Sequence, residues 1–258
     1  MLDPAPVGNQ VTINGHSVEV VESFPYLGSL IYCTGDSAPE TKRRISITGD
    51  CMMALVLWIT TFGTPASPSV PNCTSCILPI FLYGAETWAV TATAAKTFDV
   101  VDQWCLRRIL NIHWTERITN NEVHSRTQQP LLSDAVHSRR LCLFGHICRA
   151  DLNQDHSRAL YASTIGLHKH WRRRPARPRQ TWLRTIENDL RPLNLGLATA
   201  QRRAQNRTAW QTLVETATSL TSSRWWWCFD TNGWVMYIRP GIKSSSTGFL
   251  REIFADPA

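Results

Sequence analysis

Apolar positions first alternate along this chain and then recur in helical steps. Val11 to Ile13, Asn14-Gly15 and Val18 to Val21 make a hairpin pattern, because Asn-Gly readily takes the positive φ of a type I′ turn. Phe24, Tyr26 and Leu30-Ile31 continue as a third short strand, punctuated by Gly28. After Pro39 the period lengthens. Ile45, Met52, Leu55 and Ile59 face inward on a helix that exposes Lys42, Arg43 and Arg44. From Thr60 to Pro71 the pattern fails, where three Pro, a Gly and many Ser or Thr residues mark a loop or broken helix.

Helical spacing then dominates. Ile77 to Trp88 is an almost wholly apolar segment and reads as a buried helix. Phe98, Val101, Cys105, Ile109 and Ile112 recur every three or four residues, which puts Asp102 and Arg108 outward. Thr119 and Glu122 have the spacing of a capping box. Leu132, Val136, Leu143 and Ile147 trace another stripe, with Arg139 and Arg140 between them. Trp182, Ile186 and Leu190 anchor a further helix, and Leu197 to about Ala217 reads as a last amphipathic one. The tail from Ser222 has no sustained period, and Trp225-Trp226-Trp227 cannot all face one core from either a helix or a strand. The fold class is therefore mainly α. A β-hairpin lead-in (1–35) precedes a helical region (36–150), a basic connector with C-terminal helices (151–220) and an irregular Trp-rich tail (221–258).

Charge changes this picture. The net charge of +7 comes from 23 Arg and only 4 Lys against 20 acids. Between Gly166 and Trp210 eleven basic residues face only Glu187 and Asp189, a local excess of +9 that leaves −2 for the rest of the chain. A charge run is what a solvated face looks like, but a local Arg excess is also a polyanion footprint. Lys169, Trp171, Arg172, Arg173, Arg174, Arg177, Arg179 and Arg184 interleave cations with aromatic rings on a Pro-stiffened strip. Such residues neutralise phosphates and stack on exposed bases. Trp182, at helical spacing with Ile186, reads instead as core. Arg107, Arg108, Arg139 and Arg140 form a second basic surface or simply solubilise two helices.

Candidate catalytic chemistry is scarce. No Asp-Asp pair occurs, nor a G-x-x-x-x-G-K-[ST] loop, a G-x-S-x-G elbow or an H-E-x-x-H pair, so no catalytic residue is named. Zinc has two candidate sets, Cys73 with Cys76, and Cys142 with His146 and Cys148. On a helix Cys148 lies about 200° round from His146, and no fourth ligand is evident. No cofactor is expected. There is no stretch of about 18 apolar residues to span a membrane, and the first residues lack a secretory pattern. An intracellular setting with reduced thiols follows, and the Arg-rich run is compatible with the nucleus.

Several segments, in order, resemble the region just after the reverse transcriptase domain of LINE-type (non-LTR) retrotransposon proteins. They begin with VEVVESFPYLGSLIYCTG, whose signature is Phe24, Tyr26, Leu27, Gly28 and Ser29, and with ILPIFLYGAETW, including Leu82 to Trp88. DQWCLRRIL, ITNNEVHSRT and RRLCLFGHICRAD follow, the last with the typical Gly145 and His146. The series closes with WRRRPARPRQTWLRTIENDL and AQNRTAW, and it spans about Asn14 to Thr218. The resemblance implies a thumb-like helical bundle and connector that grip a template–primer duplex of RNA and DNA beside a polymerase palm. It also implies a parent with an upstream endonuclease and an aromatic-x-Asp-Asp motif. This chain has neither, so it reads as a non-catalytic C-terminal fragment whose partners are nucleic-acid backbone and a separate palm domain.

Departures from the family pattern keep other readings open. Gly63, Pro65, Pro68 and Pro71 fall where the family has a continuous helix, Gly49 interrupts another, and the tail after Ser222 has no counterpart. A decayed remnant without biochemical activity is one alternative, and a zinc-stabilised interaction module is another.

Overall fold

The computed structural model describes residues 12–19, 21–62, 70–164, 180–218, 225–230 and 233–238. At the N-terminus Asn14 (φ 51°) and Gly15 (φ 81°) are both left-handed, as a type I′ turn requires. They join β1 (Thr12–Ile13) to β2 (His16–Ser17), with Thr12 opposite Ser17. The single third strand expected beyond it is in fact a second hairpin. β3 (Ser23–Tyr26) and β4 (Ser29–Tyr32) pair antiparallel, with Tyr26 opposite Ser29. Leu27 (φ 47°) and Gly28 (φ 77°) form the turn between them. A leucine in this region is unfavourable, so the turn needs support from outside. The Tyr83 hydroxyl donates to the Leu27 carbonyl, and Arg44 and Arg43 donate to the Gly28 carbonyl, Arg43 at 3.1 Å.

Helix α1 (Ala38–Phe62) fastens this hairpin through one buried acid. Glu40 accepts from the Leu30 amide at 3.0 Å and from Arg44 Nε at 2.8 Å. The segment read as one helix from Ile77 to Trp88 is divided. α2 (Val70–Phe81) ends after Pro79, Gly84 turns the chain at φ 72°, and a single 3-10 turn spans Ala85–Thr87. Ile77, Phe81, Leu82, Ala85 and Trp88 are buried all the same, while Tyr83 is exposed. Phe81, Trp88 and Phe98 meet with ring centroids 5.2 to 5.9 Å apart, mostly edge to face.

Helix α3 (Ala92–Ile109) carries Phe98, Cys105 and Ile109 inward as read. Asp102, expected outward, is only 8% exposed. It sits between Val101 and Cys105 against the residues of α1 and α2, so the buried arc of α3 is wider than one apolar stripe. α4 (Asn120–Thr127) starts at Thr119, whose hydroxyl accepts from the Glu122 amide at 3.3 Å. Glu122 itself turns to Arg126 at 2.6 Å, so only half of the capping box forms.

Helix α5 (Leu132–Arg149) is the hub, contacting the 85–87 turn, α3, α6 (Asp155–Thr164) and the C-terminal helices. α7 (Trp182–Leu190) is capped by Thr181 and buries Ile186 and Leu190, with Trp182 half-buried. The long last helix is in fact two, α8 (Leu197–Ala204) and α9 (Arg207–Ala217). Asn206 caps the second, its side chain accepting from the Ala209 amide at 3.2 Å. Leu141, Phe144, Leu160, Ile186, Leu190, Ala200, Ala204, Trp210 and Val214 form one core that straddles residue 150. α5 and α9 approach closely at Gly145, where a Cβ would lie 2.3 Å from Trp210 Nε1. That indole donates to the Leu141 carbonyl at 3.0 Å. The tail read as irregular contains an antiparallel pair, β5 (Trp225–Asp230) and β6 (Gly233–Ile238). Among the described residues no helix is long and apolar enough to cross a membrane.

Candidate nucleic-acid interface

Lys169, Trp171, Arg172, Arg173, Arg174, Arg177 and Arg179 lie outside the described residues, which resume at Gln180. What anchors the far end of that strip is clear. Trp182 donates its indole N–H to the Glu86 carbonyl at 2.8 Å, and Gln180 donates to Thr185 at 2.8 Å. Trp182 is thus a packing residue, as its spacing with Ile186 indicates. Arg184 is exposed on the first turn of α7. Arg191, Arg202, Arg203 and Arg207, the rest of the basic window, are exposed as well.

The pair Arg139 and Arg140 corrects the sequence reading. These side chains form no surface, being 6% and 4% exposed. α5 is covered on one side by the 82–88 turn and on another by α7, and each arginine faces one of these. Arg139 Nη1 donates to the Leu82 carbonyl at 2.7 Å and lies 3.8 Å from Glu86. Arg140 holds Asp189 Oδ2 through Nε and Nη2, both at 2.6 Å. Burial pulls the Arg139 guanidinium down to about 10, with Glu86 opposing, and lowers Arg140 in the same way against Asp189. It also pushes the Asp189 carboxyl up to about 6, although Arg140 pulls the other way. His137, 3.8 Å from the same oxygen, is lowered to about 4 by burial and by Arg140. It is therefore neutral at pH 7, and that contact is no ion pair.

Arg107 and Arg108 behave differently. Arg107 is half-buried and donates to the Ile118 carbonyl at 2.7 Å and to Asn120 Oδ1 at 2.9 Å. Arg108 is exposed, its guanidinium 5.1 Å over the Trp104 ring. Beyond them lies a feature that the sequence reading missed. Trp114 is 87% exposed, beside His113 and the exposed Arg117. Its signal in the sequence is a Trp within the polar run His113 to Arg117, just past the last position of an apolar stripe.

A pair of histidines lies where α6 packs on α5. His146 and His156 stack at 6.2 Å, and Arg149, His156 and Arg207, after burial, all depress His146. Of the zinc candidates, the side chain of Cys73 lies outside the described residues. Among the described residues no three His, Cys, Asp or Glu side chains converge on a metal position.

No protein-family model, curated protein or solved structure matches the chain.

Proposed function

We propose that this chain binds nucleic-acid backbone without catalysis, as a thumb-like region of the kind that follows the reverse transcriptase domain in LINE-type elements. The observation that carries the reading is the state of the basic window. Its five arginines within the described residues, Arg184, Arg191, Arg202, Arg203 and Arg207, are all exposed, while the chain buries other arginines readily. Solvent-facing guanidinium groups on packed helices suit phosphates, whose recognition is salt-dependent and indifferent to sequence.

The resemblance gains support from packing. The segments that carry it touch one another: the Leu27-Gly28 turn meets Tyr83, Arg139 holds Leu82, and Trp182 holds Glu86. Its typical Gly145 stands where no larger residue fits beside Trp210. The partners proposed are the backbone of an RNA–DNA template–primer duplex and a separate palm domain that supplies the polymerase chemistry.

The test is fluorescence anisotropy with an RNA–DNA primer–template duplex across a salt series. Binding weakens steeply with salt. Replacing Arg172, Arg173, Arg174, Arg177 and Arg179 together flattens the slope by about 0.7 to 0.9 for each phosphate no longer neutralised. A parent that fails to bind at low salt, or a slope that the replacement leaves unchanged, overturns the proposal.

A further inference from the structure

The connection from α3 to α4 is a well-fastened loop that holds an indole out into water. Asn111 closes α3 in the left-handed region (φ 52°), and the Ile112 amide donates back to Arg107 at 2.9 Å. His113 and Glu116 then bond reciprocally. The Glu116 amide donates to the His113 carbonyl at 3.0 Å, and the His113 amide donates to Glu116 Oε1 at 3.1 Å. His113 Nδ1 is 2.9 Å from Thr115 Oγ1, and Arg107 ties the far end through Ile118 and Asn120. A loop with so many internal bonds has a defined shape. Yet Trp114 at its tip is 87% exposed, and among the described residues its ring contact is with His113, 5.6 Å away and tilted by 42°.

The surroundings indicate what this ring meets. Exposed Arg108 and Arg117 form no ion pair among the described residues, and Arg108 lies over Trp104, which is itself partly exposed. The nearest acid in the loop, Glu116, is folded back onto the His113 amide. Apolar neighbours that a lipid surface would need are absent from the tip, where His113, Thr115, Glu116 and Arg117 flank the ring. A pre-oriented aromatic face on a loop that carries the exposed Arg117 and follows the exposed Arg108 of α3 fits a partner carrying both a π-face and a negative charge.

We infer that the α3–α4 loop is a stacking platform for an unpaired base of single-stranded nucleic acid, with Trp114 under the base and Arg108 and Arg117 on the flanking phosphates. This deepens the binding function proposed above and rests on it for the class of ligand. It adds a distinct specificity, because a base inside a duplex has no free face to offer.

The test uses the full chain, a labelled single-stranded oligonucleotide and a blunt RNA–DNA duplex. Trp114→Ala weakens single-strand binding about tenfold at fixed salt and leaves the salt slope unchanged, since it removes a stack and no charge. Trp114→Phe restores most of the loss, and duplex binding is the same for all three proteins. Single-strand binding unaffected by Trp114→Ala overturns the platform and leaves the duplex reading standing. A parent that ignores the duplex but loses single strands through Trp114→Ala does the reverse. Binding to neither ligand at low salt overturns both. Sedimentation velocity supplies the remaining outcome: self-association that Trp114→Ala abolishes makes this ring a contact between copies and sinks the platform.

Discussion

The dipeptide Arg-Arg occurs on α3 as Arg107-Arg108 and on α5 as Arg139-Arg140, with opposite fates. On α3 one arginine braces a loop and the other lies in water over a Trp ring. On α5 both are sealed in, one against a backbone carbonyl and one against a carboxylate. The local sequences do not differ in charge; the number of faces covered does. α3 ends at the edge of the bundle, whereas α5 has neighbours all round it. A count of arginines is therefore no measure of a polyanion footprint until the packing of each helix is known. Here it removes two arginines from the candidate interface and leaves those of α3 and α7–α9.

The largest effect expected from this contrast is on α5. Arg140→Met strands Asp189 in a site where its carboxylate is already disfavoured, and we expect a loss of about 3 to 5 kcal/mol in urea unfolding. The double variant Arg140→Met, Asp189→Leu recovers most of it, because a buried pair is worth little over an apolar isostere. A cost below about 1 kcal/mol for Arg140→Met would mean that the pair is hydrated, and the contrast with α3 would collapse.

A smaller effect lies on the inner side of α3. Asp102 is raised from 3.8 to about 7, first by burial and then by Asp99. The folded state thus binds this proton more tightly than the unfolded chain does. Its contribution to stability is fully present below about pH 3.8 and is lost as pH rises through about 7. Asp102→Asn removes that loss and gains on the order of 2 kcal/mol at pH 7, less than the full shift because a buried amide keeps a desolvation cost. Unfolding free energies of both proteins from pH 4 to 8 check this. Parallel curves would place Asp102 in solvent, as periodicity alone suggests.

Features settled within a few residues are legible in the sequence. The Asn14-Gly15 turn, the Thr119 cap and the Trp182, Ile186, Leu190 face all stand where the pattern puts them. Two of the misreadings share one cause, a partner far along the chain. The Leu27-Gly28 turn depends on Tyr83 and Arg44, and the burial of Arg139 and Arg140 on groups 57 and 49 residues away. The split between α8 and α9 is a different failure: Asn206 is an ordinary cap residue, overlooked because the apolar period runs through it. Of the candidate interface, Arg184 and Arg108 were legible as exposed cations. Trp114 had only the weak signal of an aromatic in a polar run, since off a stripe it has no period to reveal its exposure.

The smallest effect is the one that decides whether the α3 pair belongs to the interface at all. Arg108→Ala removes a guanidinium lying over an exposed ring and costs no more than about 0.5 to 1 kcal/mol in stability. If Arg108 meets a phosphate, the same change lowers the salt slope of nucleic-acid binding by about 0.7 to 0.9. Arg108→Lys separates the two roles: it keeps the charge and therefore the slope, but gives up the planar contact with Trp104. A slope unchanged in Arg108→Ala would confine binding to the C-terminal helices. The exposed arginine of α3 would then be as irrelevant to phosphate as the buried ones of α5, for the opposite physical reason.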